Sequence, residues 1–151
     1  MKSKKHLRKN TSANAAINKL SLNVSQYEEH FSFNFSYLTK DDEYNFNFYK
    51  EKTKVGEFAK RLFNTIENIS SIETKNFSTS KFFGDSFPFS EIRKGFKSDL
   101  NIDEDEKVFS VSVSSKSHER MIIYKNSNYE NKNILFVIMF DYNFSAYKHS
   151  H

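Results

Sequence analysis

No cysteine occurs in the 151 residues. That removes a disulfide framework, a thiol nucleophile and every zinc site built on thiolates. It fits a reducing cytoplasm, the expected location of the chain. Tryptophan is also missing, and there are only three glycines and one proline. Backbone cradling of a nucleotide by a glycine-rich loop is therefore not expected, and no Gly-x-x-x-x-Gly-Lys run, Gly-x-Ser-x-Gly elbow or His-Glu-x-x-His pair is present. The sequence implies no cofactor and no metal. His149-Ser-His151 would bind a metal only adventitiously, at a chain end where fraying is the rule. The basic N-terminus runs into Thr11–Asn18 rather than a long apolar segment, so no signal peptide is read. No stretch approaches the ~20 apolar residues of a membrane-spanning helix.

Negative charge is absent from the first 24 residues, which carry Lys2, Lys4, Lys5, Arg8, Lys9 and Lys19. The remaining chain holds 17 basic and 19 acidic side chains, so the overall charge of +4 belongs to the tail. Residues 1–21 read as a disordered basic tail, and 22–151 as a single domain. Lys2, Lys4, Lys5, Arg8 and Lys9 are the tail's candidate nucleic-acid-binding residues, acting by release of counterions from phosphate.

The longest unbroken apolar run is Ile134–Phe140. Its length and its β-branched and aromatic content predict a strand buried on both faces at the centre of the fold. Tyr27–Leu38 alternates, with Phe31, Phe33, Phe35 and Tyr37 on one face. Tyr44, Phe46 and Phe48 alternate again after a polar turn, and the two runs predict an antiparallel hairpin. Between Thr53 and Ile72, Val55, Phe58, Ala59, Leu62, Phe63, Ile66 and Ile69 fall on one helical stripe. Glu57 and Arg61 are spaced for an ion pair on its wet side. Ser70-x-x-Glu73 matches a capping box for a second short helix. A further short helix is expected from Ser90 to Lys97, and a solvated acidic turn at Asp103–Glu106. Val108–Val113, Arg120–Tyr124 and the central run then form a three-stranded meander, closed by Phe144–Tyr147 at the sheet edge. The fold class is α+β. It combines a mostly antiparallel sheet (N-terminal hairpin plus C-terminal meander) with one main amphipathic helix packed on one face.

In such a meander Arg120, at a strand start, can approach Tyr147-Lys148-His149 at the chain end. These residue types suit a phosphodiester: cations for the developing negative charge and a proton carrier. Arg120, Tyr147 and His149 are the candidate catalytic residues, and Lys148 a further nucleic-acid-binding cation. His118 is the other histidine considered for proton transfer.

Arg120-Met-Ile-Ile-Tyr124, the polar turn Asn126–Asn133, the apolar strand and Ala146-Tyr-Lys148 together resemble the end of RelE/ParE-superfamily toxins. That resemblance implies a toxin acting on RNA, with RNA and a cognate antitoxin as partners. Phe-Ser-Phe-x-Phe-x-Tyr-Leu at 31–38, the amphipathic helix and the segment from Arg120 to Tyr147 are similar to a family of short, uncharacterised bacterial α+β proteins. There a histidine often stands where this chain has Phe144. The alternative reading is a non-catalytic protein-interaction module of a phage-defence or mobile-element system, which needs only an exposed apolar or aromatic patch.

Overall fold

The computed structural model describes residues 30–93, 100–126 and 133–147. The long apolar run is its centre. Ile134–Asp141 forms β5, in which every residue except Ile134 and Phe136 is fully buried. Arg120–Tyr124 (β4) and Lys107–Ser112 (β3) pair antiparallel in turn, completing the expected meander. Two three-residue strands flank it: Ser32–Asn34 (β1), parallel to β5, and Ser86–Pro88 (β2), antiparallel to β3. The order across the sheet is β1-β5-β4-β3-β2. The fold is α+β, with one mixed sheet and one main helix, α1 (Lys52–Ser70). Among the described residues no helix is long and apolar enough to cross a membrane.

β5 is buried on both faces, and a bulge shifts its phase partway along. Ile122 faces Met139 but Ile123 faces Val137, so Ile138 is the extra residue. One inserted residue reverses the phase of alternation. Leu135, Val137 and Phe140 therefore pack with Phe58, Leu62 and Ile69 of α1, while Ile138 and Met139 both enter the opposite layer. Among the described residues no helix covers that opposite face. Tyr44, Phe87, Phe89, Ile92, Ile102, Ala146 and Tyr147 close it from loops and short strands.

The predicted N-terminal hairpin does not form. β1 keeps only three residues and pairs with β5, and residues 42–48 are turns and bends. Their polar side chains explain why. Asp41 Oδ1 accepts the Glu43 N–H at 3.0 Å, Asn45 Oδ1 accepts the Asn47 N–H at 2.7 Å, and Asn47 Nδ2 donates to Asp42 at 2.9 Å. Backbone donors that a ladder would use are taken locally. The aromatic rings of this stretch still turn inward: Phe48 stacks on Tyr142 at 4.2 Å and Phe46 meets Phe140 at 4.9 Å. The same segment covers the β5 edge beyond β1. Thr39 N–H donates to Ile138 O, and Phe140 N–H to Tyr44 O, both at 2.9 Å.

Helix α1 follows its stripe with one shift. Phe58, Leu62, Thr65 and Ile69 are the buried positions, whereas Phe63 is 66% exposed. Thr65 can sit inside because its hydroxyl donates to the Val113 carbonyl at 2.8 Å. The expected second helix is replaced by 3₁₀ turns at Thr74–Thr79 and Lys81–Phe83, and Glu73 caps neither through its side chain. Of the helix expected at Ser90–Lys97, a 3₁₀ turn at Phe89–Glu91 is described; residues 94–99 lie outside the described residues.

The chain end also departs from expectation. Asp141 is fully buried, and its carboxylate accepts the Ser145 and Ala146 N–H groups at 3.0 and 3.1 Å. With Phe144 in the left-handed region (φ 54°), this loop turns the chain back beneath the sheet. Tyr147 bridges Ile92 and stacks on Phe87 at 4.0 Å and 10°, covering a face rather than ending the edge.

Candidate anion-binding cleft

β2 ends early, and that exposes one flank of the sheet. It pairs with β3 only from Lys107 to Phe109, with a last hydrogen bond from Ser110 N–H to Asp85 O at 2.9 Å. Beyond Ser110, the β3 edge opens into a cleft of about 570 Å³ between α1 and the Lys81–Phe83 turn. Arg61, Asn64 and Asn68 face it from the helix, Lys81, Phe82 and Asp85 from the opposite wall, and Ser110, Ser112 and Arg120 from the sheet. The residue types follow from the strand period. Ser110 and Ser112 alternate with Phe109, Val111 and Val113, and Ser112 stands opposite Arg120 in the β3–β4 register.

The structure brings Arg120 and Tyr147 to one side of the sheet. Arg120 is in phase with Ile122 and Tyr124, which point into the layer that holds Tyr147. The guanidinium carbon lies 5.1 Å from the centre of the Phe144 ring. Its Nε is buried and, among the described residues, has no hydrogen-bond partner. A buried donor left unbonded costs about 1–3 kcal/mol. The Tyr147 hydroxyl is committed elsewhere, to Ser110 Oγ at 3.0 Å and Asp85 Oδ2 at 3.3 Å. Burial pushes this phenol above its usual pKa, and the Ser110 hydrogen bond and the Arg120 charge oppose it only in part. Tyr147 therefore acts as a floor beneath the cleft.

His118 is exposed and packs edge-on against Phe144 at 5.3 Å, on the same side as Arg120. Lys148 and His149, like Lys2, Lys4, Lys5, Arg8 and Lys9, lie outside the described residues. No three acidic or histidine side chains converge as metal ligands among the described residues.

Sequence reasoning missed a second cluster beside the cleft. Glu119 is buried, and its carboxylate accepts from Arg61 Nε at 2.9 Å, from an Arg61 Nη at 2.6 Å, from the Tyr49 hydroxyl at 2.8 Å and from Ser117 Oγ at 2.9 Å. Arg61 thus leaves its helical neighbour Glu57 for a partner 58 residues away. A signal existed in the adjacent Glu119-Arg120 pair: on a strand, neighbours point to opposite faces, so two charges at a strand start need two separate polar environments.

Removing one hydroxyl tests the floor. Tyr147→Phe keeps the Phe87 stack but strips the hydrogen bonds to Ser110 and Asp85. We expect a loss of about 1 kcal/mol in denaturant-unfolding stability with an unchanged m-value.

No protein-family model, curated protein or solved structure matches the chain.

Proposed function

We propose that the protein acts on RNA, with the Arg120 cleft holding a phosphate group, the activity implied by the resemblance of its meander to RelE/ParE toxins. The observation that carries this reading is that Arg120 and Lys81 line the same cleft as Asn64 and Asn68, at the open β3 edge where both faces of the sheet are reached. A guanidinium grips phosphate oxygens in pairs, and amides complete the shell. Arg120 supplies charge stabilisation and the cleft supplies position. Tyr147 orients the floor, and His118 is the described histidine on this side. A cognate antitoxin would cover the same cleft. Expression in a heterologous bacterium tests the proposal: growth arrest is expected, and Arg120→Ala should abolish it while the purified variant stays folded. Arrest that persists in Arg120→Ala contradicts the role of the cleft.

A second reading has its own observation. Phe63, Phe46 and Phe35 are 66, 43 and 37% exposed, and the Phe35 and Phe46 rings lie 6.1 Å apart. Exposed aromatics of this kind favour a non-catalytic module that docks on another protein, as in phage-defence or mobile-element systems. Absence of growth arrest, with RNA affinity too weak to measure, would favour this reading.

A further inference from the structure

We infer that the Arg120 cleft is an end-binding pocket, which takes the terminal phosphomonoester of a single RNA strand in preference to an internal phosphodiester. This inference rests on the RNA reading above and names its substrate class. Three observations carry it.

The first is size. About 570 Å³ falls within the ~300–1,000 Å³ of single-ligand pockets. It accommodates about one nucleotide, whereas grooves that track a strand engage about 4–16.

The second is the placement of charge. Arg61 is tied to Glu119, which among the described residues leaves Lys81 and Arg120 as the cleft cations offered to a ligand, against Asp85. The chain beyond residue 24 has more acidic than basic side chains. The start of β3 opens on a second groove where Asp103, Glu104, Asp105 and Glu106 outnumber Lys107 and Lys125. A strand leaving the cleft along β3 would meet a net excess of negative charge, which favours affinity concentrated at one phosphate. A terminal phosphate carries about −1.5 to −2 at pH 7, against a single charge on a diester. It therefore draws up to about twice the Coulomb attraction from each cation, and it offers a third free oxygen to the Asn64 and Asn68 amides.

The third is a platform at the rim. The Phe82 ring lines the cleft, half-buried, with Lys81 Nζ 5.7 Å from its centre. A base stacked on Phe82 would place its own phosphate beside Lys81, and such stacking is how proteins hold unpaired nucleotides.

The test is fluorescence anisotropy with the full chain and one short single-stranded RNA sequence, prepared with a 5′-phosphate, a 3′-phosphate or hydroxyls at both ends. The dye sits at the end opposite the phosphate. At least one phosphorylated form should bind about tenfold tighter than the hydroxyl form. That ratio should collapse towards one in Lys81→Gln and in Arg120→Lys, whose folding is checked by thermal melts. If all three RNAs bind equally and Arg120→Lys weakens all of them alike, end binding is overturned while the RNA reading stands. If no RNA responds to either substitution, both fall. Inorganic phosphate is the competitor: displacement of the oligonucleotide as effective as that by a mononucleotide would overturn the role of Phe82 and reduce the site to a phosphate pocket.

Discussion

Ile138→Asp is expected to leave the protein largely unfolded. Ile138 is the bulged residue of β5 and is completely buried beside Met139 and Ile122. Its backbone carbonyl anchors Thr39, so the chain around it cannot swing out to wet a new side chain without releasing the segment that covers the β5 edge. A carboxylate there would ionise without a partner or bury a proton-bearing acid without an acceptor. Either costs several kcal/mol, much of the ~5–15 kcal/mol that holds a typical domain together. Circular dichroism melts should show a midpoint lowered by more than about 10 °C, or no cooperative transition. Ile138→Val, which removes one methylene, should cost only about 0.5–1.5 kcal/mol. An Ile138→Asp protein that melts like the parent would contradict the two-layer core.

The second large effect belongs to Glu119. In Glu119→Ala, the Arg61 fork and the Tyr49 and Ser117 hydroxyls lose their acceptor together. Removing one partner of a fully buried ion pair costs about 3–5 kcal/mol. The Arg61 side chain is 32% exposed, so water recovers part of its solvation, and about 2–3 kcal/mol is the expected loss. The sign of the pH dependence follows. Burial pushes the Glu119 carboxyl upward, but its hydrogen bonds from Arg61, Tyr49 and Ser117 outweigh burial and hold its pKa below the usual 4.5. A depressed carboxylate contributes fully above its unfolded pKa and loses that contribution as pH falls through the folded one. The stability gap between parent and Glu119→Ala should be constant at neutral pH and narrow below pH 4.5. At the alkaline end, burial and then the bond to Glu119 push the Tyr49 phenol up to about 12. Its contribution is therefore intact below pH 10 and lost as pH rises towards 12. Denaturant titrations across pH check both limits, and a gap that widens in acid would contradict the assignment.

Elements whose partners are dictated by their own pattern were legible in the sequence. β5 is continuous and apolar, β3 and β4 alternate, and α1 repeats every three to four residues, so their type and order follow from periodicity. The 44–49 stretch shows where that rule stops. Its aromatics alternate as a strand would, but the Asp41 and Asn45 side chains accept backbone N–H groups in turns, Asn47 ties back to Asp42, and the rings pack against α1 and β5 from there. The bulge at Ile138 is equally silent, because an all-apolar run carries no phase to interrupt. At the cleft, Arg120 could be chosen from its place at a strand start. Lys81, Asp85 and Arg61 could not, since only the early end of β2 and the reach of Arg61 to Glu119 bring them to the same edge. Tyr147 was chosen for a hydroxyl that the fold commits to Ser110 and Asp85.

Amide chemical-shift mapping tests whether RNA is held at the Arg120 cleft. The full-length, ¹⁵N-labelled protein would be titrated with a 5′- or 3′-phosphorylated single-stranded RNA at physiological salt. Among the described residues, perturbations are expected to concentrate at Asn64, Asn68, Phe82, Ser112 and Ser114, all of which line the cleft, and to be lost in Arg120→Ala. Perturbations centred on Phe35, Phe46 and Phe63 instead, or none at the cleft while RNA is bound, would contradict that placement.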